Sequence, residues 1–155
     1  LRGTGWVGAV SLLLGISVSF VIGTLVALSF GYHDPKDLAT IGAGACTFIV
    51  GPVTGAAVKA SSEVIAVSIA AGVVKSVVVT LITPIFARQI GLNNPRSAMV
   101  YGGLMGTTSG VAAGLAATDP KLVPYGAMTA TFFTGLGCLL CPSVFYLILT
   151  YFFGS

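Results

Sequence analysis

The sequence predicts an all-α, polytopic membrane helical bundle, and three observations carry that prediction. Only 7% of the 155 residues are charged while 55% are hydrophobic, and mean hydropathy is +1.02. A water-facing domain keeps about a quarter of its residues charged to wet its surface, so this composition cannot cover even a small globule. Four long stretches, 3–32, 38–58, 97–118 and 122–155, hold no Asp, Glu, Lys or Arg, and 64–87 holds one charge, Lys75. About 20 mostly apolar residues cross a bilayer as a helix, so five segments qualify by length. They run through the whole chain, which excludes a cleaved leader as their explanation.

Taken in order, the five segments are of two kinds. Segments 7–30, 64–90 and 125–153 are rich in Val, Leu, Ile and Phe and read as ordinary wall helices. Segments 38–58 and 98–117 are crowded with Gly, Ala and Thr. Residues that small let backbones approach closely, and Gly and Pro permit helix breaks where a bundle lines a cavity. In the first of these, Gly51-Pro52 falls midway and predicts a kink or break, because proline removes a backbone donor. In the second, Gly102, Gly106, Gly110 and Gly114 recur every four residues, a stripe along one helix face.

A shift of 60 residues superposes the two kinds. Gly31, Pro35, Gly42 and Thr47 fall on Gly91, Pro95, Gly102 and Thr107, and Lys36 falls on Arg96. We expect one transmembrane domain over 1–155, with repeat units about 7–58 and 64–118 and a final helix 125–153. Paired Gly/Pro-interrupted segments in the two halves of a repeat are a signature of secondary carriers. If each broken segment crosses the membrane, the repeats are parallel; if each is re-entrant, they are inverted. The sequence leaves that choice open. Arg88 and Arg96 bracket a loop without acids, which the positive-inside rule assigns to the cytoplasm. The chain opens at Leu1 and is apolar within six residues, so it is expected to be the C-terminal portion of a longer subunit.

Four constellations carry possible chemistry. Thr107-Thr108-Ser109 lies inside the glycine stripe, where hydroxyls and freed backbone groups suit a carboxylate or a cation; the stripe itself also suits close helix packing. Around Gly51 and Pro52, a half-helix would point its positive end at the break, with Thr47 and Thr54 as hydrogen-bond donors. Carbonyls near Gly51, Pro52, Gly106 and Gly110 are candidate sodium ligands. Lys75 lies near the centre of its segment, roughly 11 residues or about 16 Å from the nearer end. An ammonium there costs at least about 2.5 kcal/mol, which marks it as a functional-site residue. Arg96, in Asn93-Asn94-Pro95-Arg96-Ser97, belongs to a polar turn with Ser97 as a possible helix cap, or attracts anions at a cytoplasmic mouth.

Other chemistry is excluded or unsupported. The seven basic residues form no cluster that would grip nucleic acid. The single histidine, His33, stands in a loop, and no catalytic constellation accompanies it, so no enzyme, cofactor or metal centre is expected beyond a possible Na⁺ site. Cys138-Leu-Leu-Cys141 has CxxC spacing in an apolar run and reads as buried small residues. Asp34, Asp37, Glu63 and Asp119 all sit at segment ends, leaving no mid-membrane carboxylate for a proton relay. Sodium coupling fits that pattern, since carbonyls and hydroxyls alone can hold Na⁺.

Three contiguous runs resemble a known family: TIGAGACTFIVGPVTGAAVK at 40–59, GLNNPRSAMVYGGLMGTTSGVAAGLAATDPKLVPYGAMTATF at 91–132 and TGLGCLLCPSV at 134–144. They are similar to the larger, MadM, subunit of the malonate/sodium symporter. The resemblance implies a multi-pass protein of the bacterial inner membrane that takes up malonate with sodium beside a smaller subunit, MadL, with homo-oligomerisation possible. It implies no residue roles. The residue reading adds Lys75 against one malonate carboxylate and Thr107, Thr108 and Ser109 against the other. A non-transporting scaffold subunit and a holin-like or channel-like pore are the rival functions.

Overall fold

The structure, a computed structural model, describes residues 2–153. Among them it is helical with no strand, as composition requires. Helix α1 (Arg2–Ser29) is followed by α2 (Pro35–Cys46), α3 (Val50–Val58), α4 (Ser62–Ile90), α5 (Pro95–Met105) and α6 (Thr108–Thr118). A 3₁₀ turn, Pro120–Leu122, leads to α7 (Val123–Leu140), a π turn Cys141–Phe145 and α8 (Tyr146–Phe153). Gly8–Ser29, Ser62–Ile90 and Pro120–Phe152 are each long and apolar enough to cross a membrane.

Local chemistry explains the boundaries. Gly31 (φ 99°) and Gly91 (φ 74°) end α1 and α4 in the left-handed conformation. The amides after them, Tyr32 and Leu92, donate back to the carbonyls of Ala27 (3.1 Å) and Ala87 (2.9 Å), a C-terminal glycine cap. Pro35 and Pro95 occupy first turns, where the missing N–H costs nothing. Asp34 caps α2 by accepting from the Lys36 amide at 2.9 Å. Asn94, not Ser97, caps α5: it accepts from the Ser97 amide at 2.9 Å, and the Ser97 hydroxyl completes a reciprocal capping box.

The first broken segment parts between Cys46 and Val50, slightly before the Gly51-Pro52 pair the sequence singles out. Pro52 then lies in the first turn of α3, where amides have no intrahelical partner anyway. The second segment parts at Gly106-Thr107. Residues 41–57 and 101–117 follow the same order of buried and exposed positions, departing only at Gly44 and Leu104.

The chain divides into two compact units. One comprises Ser17–Val73 and Gly135–Ser155, so far as these are described. In it α2 and α3 fold back on each other: a Cβ at Gly51 would lie 3.0 Å from the Gly44 Cα, and one at Gly55 would lie 3.0 Å from Thr40 Cγ2. The rising and falling numbers of these pairs make the two half-helices antiparallel. The first part of α4 seals the hairpin, with Ser68 against Gly44 and Gly51, and Gly72 against the Phe48 backbone. Rings of Phe20 and Phe145 pack 4.7 Å apart at 41°. Gly44→Ala would drive a methyl into the Ser68 backbone, whose Cα lies 2.6 Å from the Cβ position. It should cost about 1–3 kcal/mol, read as a lower unfolding midpoint in detergent; an unchanged midpoint would refute this close packing.

The other unit comprises the described part of Leu1–Ile16 together with Val74–Thr134. Here α6 runs beside α4 in the same direction, Gly110 against Ser76 and Gly114 against Thr83. Helix α5 runs beside α7, Gly102 against Gly126 and Gly106 against Phe133. The Gly91 turn reverses the chain between α4 and α5, and Tyr101 reaches back to Thr83. Since α6 follows the direction of α4, α5 and α6 are antiparallel too. Val79, Ala98, Tyr101, Val111 and Leu115 form the core beneath them.

Candidate functional site

The break between α5 and α6 brings three hydroxyls together. Gly106 takes φ 76° and its amide donates to the Gly102 carbonyl at 2.9 Å. Thr107 then runs extended and fully buried, and its carbonyl accepts from the Val111 amide at 2.8 Å. Its hydroxyl does not cap α6. Instead Thr107 Oγ1 lies 2.5 Å from Ser76 Oγ, which lies 2.8 Å from Ser109 Oγ. Thr80 donates its hydroxyl to the Ser76 carbonyl at 2.9 Å. A trough of about 360 Å³ opens on Ser76, Thr80 and Ser109 between the apolar walls of Leu81 and Ala113. Each hydroxyl carries one proton and two lone pairs, so the chain can turn donors toward a carboxylate or lone pairs toward a cation.

Lys75 flanks the same break. Its Nζ stands 5.1 Å from the centroid of the Phe133 ring, within range of a cation–π attraction. Phe133 is fully buried and lies against Gly106, where a Cβ would enter the ring. The ring therefore joins the ammonium to the glycine at which the helix breaks. Thr108, half-buried, opens α6 between Thr107 and Ser109.

The remaining residues named from sequence lie elsewhere. Thr47 and Thr54 belong to the other unit. The Thr47 hydroxyl accepts from the amides of Ile49 (3.1 Å) and Val50 (3.2 Å) and so caps α3. Thr54 is fully buried, and its Oγ1 has no hydrogen-bond partner. Gly51 and Pro52 lie within the first turn of α3, and Gly110 within that of α6, where it packs on the Ser76 carbonyl. Arg96 is exposed and lines a separate trough with Tyr101 and Leu104. An apolar trough between α1 and α8, walled by Phe20, Leu25, Phe145 and Ile148, contains none of the predicted site residues.

Burial, and after it the Asp34 carboxylate, raises the pKa of Asp37, while Lys36 opposes the shift. The Cys46 and Cys141 side chains are both fully buried. Among the described residues no group of three His, Cys, Asp or Glu side chains could hold a metal.

Sequence reasoning missed Ser76, Thr80 and Phe133. A usable signal existed for the first two: Ser68, Gly72, Ser76, Thr80 and Thr83 recur at four, four, four and three residues, one small-residue face of α4. For Phe133 there was none, since nothing distinguishes it from its neighbour Phe132 in the linear chain.

A family model described as the malonate/sodium symporter MadM subunit matches residues 1–153. No curated protein and no solved structure matches the chain.

Proposed function

The chain belongs to the malonate/sodium symporter MadM subunit family, a family of transporter subunits, and we propose from that premise that it carries malonate inward together with Na⁺. The observation that supports this best is the chain of hydroxyls Thr107–Ser76–Ser109, running from the buried Thr107 out to the exposed Ser109, at a helix break flanked by Lys75. Malonate is a small dianion and needs positive potential with several donors in a medium of low dielectric. Lys75 takes one carboxylate; Thr107, Thr108 and Ser109, with Ser76, take the other. Carbonyls released near Gly106, or near Gly51 and Pro52 in the other broken segment, hold sodium, with Thr47 and Thr54 beside the latter. Arg96 stands outside this constellation and adds positive potential at the cytoplasmic face.

The half-helices support re-entrant hairpins rather than full crossings. Eleven residues of α5 or α6 rise about 16 Å, roughly half the hydrocarbon thickness, and each pair is antiparallel. Carriers place substrate at broken helices of this kind. Charge supports the orientation. Connections in the α5–α6 unit carry Arg88, Arg96 and Lys121 against Asp119; those in the α2–α3 unit carry Lys36 and Lys59 against Asp34, Asp37 and Glu63. The positive-inside rule puts the former in the cytoplasm of a bacterial inner-membrane protein.

The decisive experiment measures labelled malonate in proteoliposomes holding this subunit with and without MadL. Accumulation above the outside concentration, driven by an inward sodium gradient, is the expected result. Equilibration without accumulation would leave a pore, and transport by MadL alone would leave a scaffold. Ser76→Ala removes the hydroxyl that joins the other two and should raise the malonate KM about tenfold, the worth of one hydrogen bond of about 1.4 kcal/mol. An unchanged KM in that variant would separate the hydroxyl chain from the substrate.

A further inference from the structure

Helix α5 presents to the outside a ridge, Val100 and Leu104, with an apolar trough on each side. One, of about 500 Å³, continues over Ile90 and Met105 and also touches Asn94, Arg96 and Ser97 at the start of α5. The other, of about 360 Å³, is walled by Trp6, Val10 and Leu14. No acid lines either trough. We propose that the two troughs together bind one anionic phospholipid, an acyl chain on each side of the ridge and the phosphate at Arg96.

Such lipid binding needs nothing from the transport site. An apolar trough facing a bilayer fills with hydrocarbon, because lipid is the solvent there. Two troughs that share one ridge match two chains joined at one glycerol. At the end of the larger trough, Asn94 and Ser97 already spend their side chains on the α5 capping box, which leaves the exposed Arg96 guanidinium as the charged donor. A guanidinium binds phosphate through two parallel hydrogen bonds. Trp6, 71% exposed, is a residue type that settles at headgroup depth. The connections of this unit are those with the basic excess, and a basic residue near an anionic leaflet gains about 1 kcal/mol. A partner helix seated here would have to bring its own acid to Arg96, whereas an anionic lipid carries its phosphate in every molecule.

The test places a photoreactive benzoyl-phenylalanine at Leu104 of the full subunit in native membranes and identifies the adducts by mass. Anionic phospholipid adducts should be enriched about fivefold over their share of the membrane, and Arg96→Gln should return them to that share. A polypeptide adduct would overturn the proposal in favour of a subunit interface. Adducts at the bulk lipid ratio in the unaltered Arg96 protein, or enrichment that survives Arg96→Gln, would overturn it as well.

Discussion

Lys75→Met should lower malonate uptake roughly 100-fold while the protein still inserts and folds. The expectation follows from what each state of the site would have to hold. A carboxylate brought to the α5–α6 break leaves water, and removing the charged partner of a desolvated charge costs about 2–5 kcal/mol, of which about 2.7 kcal/mol corresponds to the stated loss. Met keeps the length and apolar stem of Lys, so packing along α4 survives and membrane insertion becomes easier. Phe133→Leu supplies the companion measurement. It keeps an apolar side chain against Gly106 but removes the ring beneath the ammonium, a contact worth up to about 2 kcal/mol when desolvated. Its effect should be smaller than that of Lys75→Met and should fall mainly on KM. Initial uptake rates at sub-saturating malonate, set beside the amount of inserted protein, decide the matter. Wild-type rates in Lys75→Met would remove the residue from the site.

The second large effect is on folding. Gly106→Ala should destabilise the protein by about 3 kcal/mol, from two independent causes. Its φ of 76° costs an L-residue about 1–2 kcal/mol, and the new Cβ would enter the buried Phe133 ring, overpacking worth about 1–3 kcal/mol. Gly31→Ala is the matched control. It has a comparable φ of 99° but open space around the Cβ position, so it bears the conformational cost alone. Thermal unfolding in detergent should rank Gly106→Ala well below Gly31→Ala, and Gly31→Ala modestly below the parent. Equal midpoints for the two variants would show that Phe133 does not close on Gly106.

Much of this was legible in the linear chain, and the reasons differ from residue to residue. The five apolar segments follow from charge density, since lipid tolerates almost no charge at depth, and the three long wall helices among them from their Val, Leu, Ile and Phe content. The turns after α1 and α4 follow from Gly31 and Gly91, because few residues but glycine accept a positive φ. The break near Gly106 follows from the same rule. The first break was placed a few residues late: Pro52 suggested it, yet proline is harmless in the first turn of a helix, and Thr47 is the residue that closes the gap by capping α3. The 60-residue offset pairs Thr47 with Thr107, and both run extended. Their hydroxyls differ, one serving nearby amides and the other the distant Ser76.

The sequence by itself therefore determined the apolar solvent of this protein, its three long wall helices, the two segments in which helices break and the place of Lys75 midway along one long apolar stretch. Each of these depends on a residue's own chemistry or on its nearest neighbours. Only the tertiary structure decided that the broken segments fold back as antiparallel hairpins, that Ser76 joins Thr107 to Ser109, and that Phe133 lies under Lys75. In water, the apolar face of a helix reveals which side packs. In lipid both faces are apolar, so packing is chosen by small-residue fit and hydroxyl partners, and those are settled between residues far apart in the chain.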